Sequence, residues 1–332
     1  MIRSNPFYKC ILRFLFFLSI TFCPVDYTIA QDITTEGKDF WLGFMENREQ
    51  NGDIALKIYI SAADSTGGVV SLPLANWSQE FTVNDNSTVL VTVPTDLGMA
   101  EGSGNIQKMG IHVQSNDNVS VYALNSVRVS ADATVVLPTP ALGRTYYVSS
   151  YYGGTNWSDS EFLLVAIEDN SQIQISPTQR TRDGHSAGTP YIVELDSGEV
   201  MQVQAPGDLT GTKITAAGNC KPFALFAGNE WTRVGGCGSA QDHLYEQMFP
   251  VGAWGKNFAT VPYRTRVGGD EFKITAATDE TTVIISGQDT TVLNEGQSML
   301  RLLASAKIIS ADKPIQVSQF SRSQSCDNQL AD

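Results

Sequence analysis

The feature that most constrains this chain is a period-two alternation of apolar and polar residues, which recurs along its length. The apolar positions fall at Ile54, Leu56, Ile58 and Ile60, then at Val89, Val91 and Val93, and then at Val119, Val121 and Ala123. Successive side chains of a strand point to opposite faces, so this spacing is typical of β-strands. No amphipathic helix is predicted, and turn residues such as Asn84-Asp85-Asn86 and Gly268-Gly269 separate the runs. We therefore predict an all-β protein of antiparallel strands.

The predicted strands also recur in sets. Each set begins with an apolar strand, a polar turn and a second strand, and Ala62, Ala166 and Ala276 align at spacings of 104 and 110 residues. A unit of this size is typical of a β-sandwich. We predict tandem antiparallel β-sandwich modules with an internal repeat of about 100 residues, at residues 31–155, 156–266 and 267–332. The third module is expected to be truncated, because the sequence ends where the counterpart of its last strands would begin.

Residues 1–30 have the pattern of a signal peptide. Arg3, Lys9 and Arg13 precede an apolar stretch, Phe14 to Phe22, and the small residue Ala30 precedes Gln31. The apolar stretch is shorter than the roughly 20 residues that a membrane helix needs. We expect cleavage between Ala30 and Gln31, a secreted or cell-surface protein, and no membrane span in the mature chain.

The charge balance argues against two classes of partner. Without residues 1–30 the chain has 19 Lys and Arg against 34 Asp and Glu, and it contains no run of basic residues. Nucleic acids and anionic membrane surfaces attract basic patches, so neither is expected as a partner. An acidic surface of this kind favours solubility in an exported domain.

The sequence contains no catalytic motif that we recognise. Its three histidines, His112, His185 and His243, lie in no Gly-x-Ser-x-Gly, His-Glu-x-x-His or Walker pattern. No Cys-x-x-Cys or Cys/His cluster is present, so neither a metal nor a cofactor is expected. We predict a protein that is not an enzyme. A glycan-active hydrolase stays an alternative, because the distance between two catalytic carboxylates cannot be read from a sequence.

Two groups of residues are candidates for a binding site. In Asp242-His243-Leu244-Tyr245-Glu246, the side chains of Asp242, His243 and Glu246 could form a ligand or cation site, with His243 and Glu246 on one face if the turn is helical. The alternative is a structural role in which the carboxylates cap backbone N–H groups. The second group consists of aromatic residues beside turns, which suit sugar rings or protein anchors unless they only cap module ends. These are Trp77, Tyr151, Tyr152, Trp157 and Trp231.

Three cysteines, Cys220, Cys237 and Cys326, remain after the predicted cleavage. In an oxidising compartment we expect one pair to form a disulfide, and three pairings are possible.

Several ordered motifs resemble one family. They are GKDFWLGFMEN from Gly37, KPFALFAGN from Lys221 and CGSAQDHLYEQMFPVGAWG from Cys237, with LPTPALGRTYYV from Leu137 and CDNQLAD from Cys326 as further echoes. Together they resemble the N-terminal domain of IgGFc-binding proteins over residues 35–332. That family is extracellular and β-rich. The style of the leader in residues 1–30 is similar to that of exported Bacteroidota proteins.

The resemblance implies a non-catalytic binding or adhesion domain that contacts a glycoprotein, a mucin or another surface protein through its loops. A structural spacer within a longer surface protein is the alternative. Members usually carry two cysteines in the loop of the central unit, whereas here Asn229-Glu230-Trp231 occupies the region of the first. The pairing of Cys237 therefore stays open on this comparison.

Overall fold

A computed structural model describes residues 34–48, 54–154, 158–264, 266–288 and 290–327. The predicted signal peptide and Trp157 lie outside the described residues. The strands within the described ranges are β1 (Glu36–Leu42), β2 (Ala55–Ala62), β3 (Thr66–Leu72), β4 (Trp77–Val83), β5 (Ser87–Val93), β6 (Ile106–Gln107), β7 (Ile111–Val127), β8 (Ser130–Val136), β9 (Thr145–Tyr147), β10 (Ser160–Ala166), β11 (Ser171–Ser176), β12 (Tyr191–Leu195), β13 (Val200–Ala205), β14 (Lys213–Ala216), β15 (Phe223–Thr232), β16 (Asp242–Gln247), β17 (Gly255–Thr260), β18 (Asp270–Ala276), β19 (Thr281–Ile285), β20 (Thr290–Leu293), β21 (Ser298–Leu303) and β22 (Lys307–Phe320).

Helical structure in the described residues is short. It consists of the one-turn helix α1 (Thr95–Gly98) and three 3₁₀ turns at Thr139–Ala141, Val251–Ala253 and Gln324–Cys326. No helix in these ranges is long and apolar enough to span a membrane. The predicted turn at Asn84-Asp85-Asn86 joins β4 to β5, and Asn86 has a φ of 50°, in the left-handed region that Asn tolerates.

The strands of the described residues form four sheets, and neighbouring strands pair antiparallel. The first sheet has the order β4-β3-β7-β2-β5, with β1 and β8 also pairing with β7. The central sheet has the order β16-β15-β10-β13-β6, and the outer sheet the order β12-β11-β14-β9. The C-terminal sheet has the order β20-β19-β22-β18-β21, with β17 also pairing with β22. The prediction of an all-β, antiparallel protein is confirmed.

The central sheet is covered on both faces. Leu163 and Val165 of β10 belong to the apolar core that the first sheet builds around Ile58. Their neighbours Phe162 and Leu164 belong to a second core, shared with the outer sheet. Every residue of β10 is accordingly buried, which explains why its sequence is continuously apolar after its first two residues instead of alternating.

Close packing at one edge of this sheet depends on a glycine. A Cβ atom at Gly228 of β15 would lie 1.6 Å from the carbonyl oxygen of Leu244 on β16. Any other residue would therefore force these two strands apart.

The C-terminal sheet has its own core, which includes Phe272, Ile274 and Ile309. Its contacts with the rest of the chain are more polar than those around the central sheet. The hydroxyls of Ser149 and Ser318 lie 2.8 Å apart. A small apolar group of Tyr147, Trp254 and Ala277 adds to this junction.

Three short strands pair beyond the sequence stretch in which we placed them. β6 lies in residues 31–155 but pairs with β13 of the central sheet. β9 lies in residues 31–155 but pairs with β14 of the outer sheet. β17 lies in residues 156–266 but pairs with β22 of the C-terminal sheet. Strands from the first and second predicted modules thus join sheets that are formed mainly by the module that follows.

A disulfide joins Cys237 and Cys326, with Cα atoms 5.0 Å apart. It links the β15–β16 connection to the segment after β22, so it lies across the junction between the central and C-terminal sheets. This finding selects one of the three pairings that the sequence left open.

We expect reduction of this disulfide to lower the free energy of unfolding by about 2–5 kcal/mol, because the 89-residue separation makes the closed loop long. Peptide mapping without reductant should recover a linked pair that contains Cys237 and Cys326. Thermal unfolding of the Cys237→Ser/Cys326→Ser variant should occur at a lower temperature than that of the oxidised wild type. A map that shows Cys220 linked to Cys237 would contradict the assignment.

Candidate binding site

The segment Asp242–Gln247 is strand β16 and not a helical turn. Side chains alternate along a strand, so His243 faces away from Asp242 and Glu246. His243 is only 1% exposed, and burial lowers its pKa to about 4. Its ring is therefore neutral at physiological pH. The predicted shared face of His243 and Glu246 does not form.

One edge of β16 pairs with β15 through the backbone. Along its other edge, side chains of β8 accept the hydrogen bonds that a neighbouring backbone would otherwise accept. The amides of alternate β16 residues donate to side chains of alternate β8 residues: His243 to Ser130 Oγ, Tyr245 to Asp132 Oδ2 and Gln247 to Thr134 Oγ1, each at 2.8 Å. In the other direction, the amide of Ala131 donates to Asp242 Oδ1 at 2.8 Å. The Thr134 hydroxyl also donates to Glu246 Oε1 at 3.0 Å. We call this set of bonds the β8–β16 seam.

The seam joins the edge of the central sheet to β8 of the first sheet. Asp242 and Glu246 both take part in it, which agrees with the structural alternative considered for this segment. Burial raises the pKa of Glu246 and of Asp132 to about 7. The seam thus contains carboxyl groups that titrate near neutral pH.

The predicted aromatic residues lie in different surroundings. Tyr151, expected in an exposed loop, is buried because its hydroxyl donates to Glu271 Oε2 at 2.6 Å and its ring packs on Phe320. Trp77 is half-buried against the first core. Trp231 and Tyr152 are each half-buried beside the end of β10.

Carboxyl groups from three segments converge on the side-chain amide of Gln204. The two hydrogens on Gln204 Nε2 are shared among three carboxyl oxygens, Glu230 Oε1 at 2.8 Å and Glu161 Oε2 and Glu46 Oε2 at 3.1 Å each. Glu161 and Gln204 are directly opposite each other on β10 and β13. We call Glu46, Asp159, Glu161 and Glu230 the carboxylate cluster.

Two carboxyl groups of the cluster have pKa values well above their ordinary range. Glu161 is fully buried, and burial together with the nearby Glu230 raises its pKa well above the usual range. Burial also raises the pKa of Glu230 to about 7. Among the described residues, none hydrogen-bonds to Glu161 Oε1. Such a buried, perturbed group is a feature of functional sites.

Basic and aromatic groups lie around the carboxylates. Arg182 forms a bidentate pair with Asp159, at 2.5 and 2.7 Å. The amide of Trp231 donates to Ser158 Oγ at 3.1 Å, which fixes the end of β15, and the Arg48 guanidinium lies 5.2 Å from the centre of the Trp231 ring. The site therefore offers carboxylate acceptors, guanidinium donors and an aromatic face within one region.

The geometry does not suggest a metal centre. No group of three or more His, Cys, Asp or Glu side chains in the described ranges is arranged to hold a metal ion. In the carboxylate cluster, the carboxyl groups of Glu46, Glu161 and Glu230 are directed toward one point, and the side-chain amide of Gln204 occupies it.

Sequence reasoning proposed Trp231 and Tyr152 as binding residues but did not identify the carboxylate cluster. The available signal was Glu161, a charged residue directly before the apolar run Phe162-Leu163-Leu164-Val165-Ala166. Its partners Glu46, Gln204 and Glu230 are distant in the sequence, so no local pattern connects them.

We expect the protein to become less stable as the pH rises from 5 to 8. Glu161 and Glu230 keep protons in the folded state that the unfolded chain releases near pH 4.5. The free energy of unfolding therefore falls as pH rises through the folded pKa values, by about 1.4 kcal/mol per pH unit for each extra proton. Thermal unfolding between pH 5 and pH 8 measures this slope.

The Glu161→Gln variant should be more stable than the wild type at pH 8 and should show a shallower slope, because the buried group can no longer ionise. Glu80→Gln, at an exposed position on β4, serves as the matched control and should keep the wild-type slope. An unchanged slope in Glu161→Gln would show that the cluster is not the source of the pH dependence.

Comparisons with known proteins identify relatives of this chain. A family model described as IgGFc binding protein matches residues 132–332. The human IgGFc-binding protein is 26% identical over 234 residues, which are 68% of this chain and 4% of the human protein. This chain therefore spans only a small part of that relative's length.

Two solved structures of bacterial ice-binding adhesins also align. One is described as a Ca2+-stabilized adhesin by which an Antarctic bacterium binds ice; it is 11% identical and covers 85% of this chain and 72% of its own. The other, described in connection with host cell surface retention, is 12% identical and covers 83% and 91%. Both TM-scores are 0.15, too low to indicate a common fold.

The family match covers the outer sheet, the central sheet apart from β6, the C-terminal sheet and both disulfide cysteines. Because it covers more than half of the sequence, this chain belongs to the IgGFc-binding protein family.

Proposed function

We propose that this chain is an extracellular, non-catalytic binding domain that contacts a glycoprotein, such as a mucin, or another surface protein. The site that we assign to this contact is the rim of the carboxylate cluster with Trp231. Family membership supports a binding role, because the human relative is named for binding the Fc part of immunoglobulin G. Whether this chain shares that partner is an outcome of the experiment below.

The observation that carries the proposal is the position of Trp231, whose ring lies 5.2 Å from the Arg48 guanidinium that also interacts with Glu230 of the carboxylate cluster. Its half-buried ring and the half-buried Glu46 and Glu230 lie at one end of the central sheet. An aromatic face combined with hydrogen-bonding groups suits sugar rings and the polar side chains of a protein partner. Arg182, paired with Asp159, holds the neighbouring loop in place.

Two features favour binding over catalysis. The Gln204 amide engages Glu46, Glu161 and Glu230 together, so these carboxyls are held by the protein itself. His243 is buried and neutral in a packing role. We therefore propose that the chain performs no hydrolysis of its ligand.

An exported location agrees with the chemistry. The disulfide between Cys237 and Cys326 is typical of oxidising compartments, and residues 1–30 have the pattern of a signal peptide. We propose that the mature protein begins at Gln31 and acts outside the cell or at its surface.

We also propose that the chain consists of three copies of one β-sandwich module. Three strands in equivalent sequence positions, β2, β10 and β18, end at Ala62, Ala166 and Ala276. Each of them pairs with two later strands of its set: β2 with β5 and β7, β10 with β13 and β15, and β18 with β21 and β22. The pairings of β9 and β17 suggest that each later module takes its first strand from before the boundaries at residues 155 and 266.

Retention of the exported protein on immobilised mucin, immunoglobulin G Fc and a glycan panel tests the binding role. We expect Trp231→Ala to weaken retention at least about tenfold, as is typical of an aromatic hot spot. Trp231→Phe should keep most of the binding, because it keeps an aromatic face.

Trp77→Ala on β4 is the control, because Trp77 lies on the first sheet away from the cluster. It should bind like the wild type. Equal retention of wild type and Trp231→Ala would rule out the assigned site. Absence of retention on every surface would instead favour a structural spacer within a longer surface protein.

A further inference from the structure

A buried lysine lies at the junction between the C-terminal sheet and the rest of the chain. Lys273 is on β18, and its side chain is only 4% exposed. Its Nζ atom lies 2.7 Å from Asp208 Oδ2 and 2.9 Å from Thr210 Oγ1, and it also donates to the carbonyl oxygen of Ser150. Asp208 and Thr210 belong to the β13–β14 connection, so the carboxyl comes from a loop outside the C-terminal sheet that carries the amine.

Two aromatic rings also lie near this amine. Its Nζ atom lies 5.3 Å from the centre of the Tyr151 ring and 5.7 Å from that of Phe320. Burial lowers the pKa of Lys273. A desolvated lysine is closer to its neutral, nucleophilic form than an exposed one.

A hydroxyl contacts both reacting groups. Thr210 Oγ1 lies 2.9 Å from Lys273 Nζ and 2.5 Å from Asp208 Oδ1. It can therefore carry a proton between the amine and the carboxyl oxygen that the amine does not contact directly. The side chain of Asp208 is 40% exposed, which leaves a path for a small product to reach solvent.

We propose that Lys273 and Asp208 condense to form an intramolecular isopeptide bond between β18 and the β13–β14 connection. The bond would cross the same junction as the Cys237–Cys326 disulfide. It is independent of the binding role proposed above, since Trp231 takes no part in it.

The reaction balances with groups that are present. The ammonium group passes one proton directly to Asp208 Oδ2 and a second through the Thr210 hydroxyl to Oδ1. The nitrogen lone pair attacks Cγ, which gives a neutral carbon that bears two hydroxyls and the N–H group. One hydroxyl leaves with the proton of the other as water, and the remaining oxygen becomes the amide carbonyl. Fixed proximity of amine and carboxyl favours this step.

The intact mass of the purified, fully reduced protein tests the proposal. We expect a mass that is lower by one water molecule than the sequence of the cleaved chain requires. Proteolysis should yield one branched peptide that contains both Lys273 and Asp208. A full mass with two separate linear peptides, in protein whose circular dichroism shows it to be folded, would overturn the proposal.

Variants of Lys273, Asp208 and Thr210 test which side chains form the bond. Lys273→Arg and Asp208→Ala should keep their full masses under reduction. Asp208→Asn can lose ammonia in place of water, so its product should have the same mass as linked wild type. Thr210→Val should form the linkage more slowly than Thr210→Ser, which keeps the hydroxyl. Loss of water in Lys273→Arg would show that the dehydration arises elsewhere and would overturn the assignment.

Discussion

The constraint on which the structure depends is the burial of the central sheet on both faces. Leu163 and Val165 contribute to one core, and Phe162 and Leu164 contribute to the other. Burial of apolar surface is the main favourable term in folding, so one strand stabilises two layers at once. Its polar groups must consequently find partners within the protein, because an unpaired buried polar group costs about 1–3 kcal/mol.

That requirement explains where the polar networks lie. Glu161 enters the central sheet at one end of β10, and the amide of Gln204 on β13 engages it together with carboxyls from other segments. At the β16 edge, the β8–β16 seam satisfies backbone amides with side chains. The C-terminal sheet is joined differently, through Lys273, the disulfide and the bond from Tyr151 to Glu271. The junction between the first and central sheets therefore differs in chemistry from the junction with the C-terminal sheet.

Local sequence patterns predicted the strands, the turns and, for the residues that the structure describes, the absence of long helices. These features depend on side-chain periodicity and on residues such as Asn86 that tolerate a left-handed backbone. Local patterns failed where contacts between residues distant in the sequence determine the local structure or the burial of a side chain. Asp242–Gln247 resembles a polar turn, yet it is a strand because β15 and β8 lie on either side of it. Tyr151 stands beside glycines in the sequence but is buried by Phe320 and Glu271. The carboxylate cluster also depends on residues more than a hundred positions apart.

Native-state hydrogen exchange tests the central claim most directly. If one sheet stabilises two cores, the backbone amides of β10 and β15 should exchange only through global unfolding, with protection equal to that of β2 and β7 in the first sheet. Exchange of β10 amides through a partial unfolding of much lower free energy, while β2 and β7 stay protected, would contradict the account. It would show that the first sheet keeps its core without the central sheet.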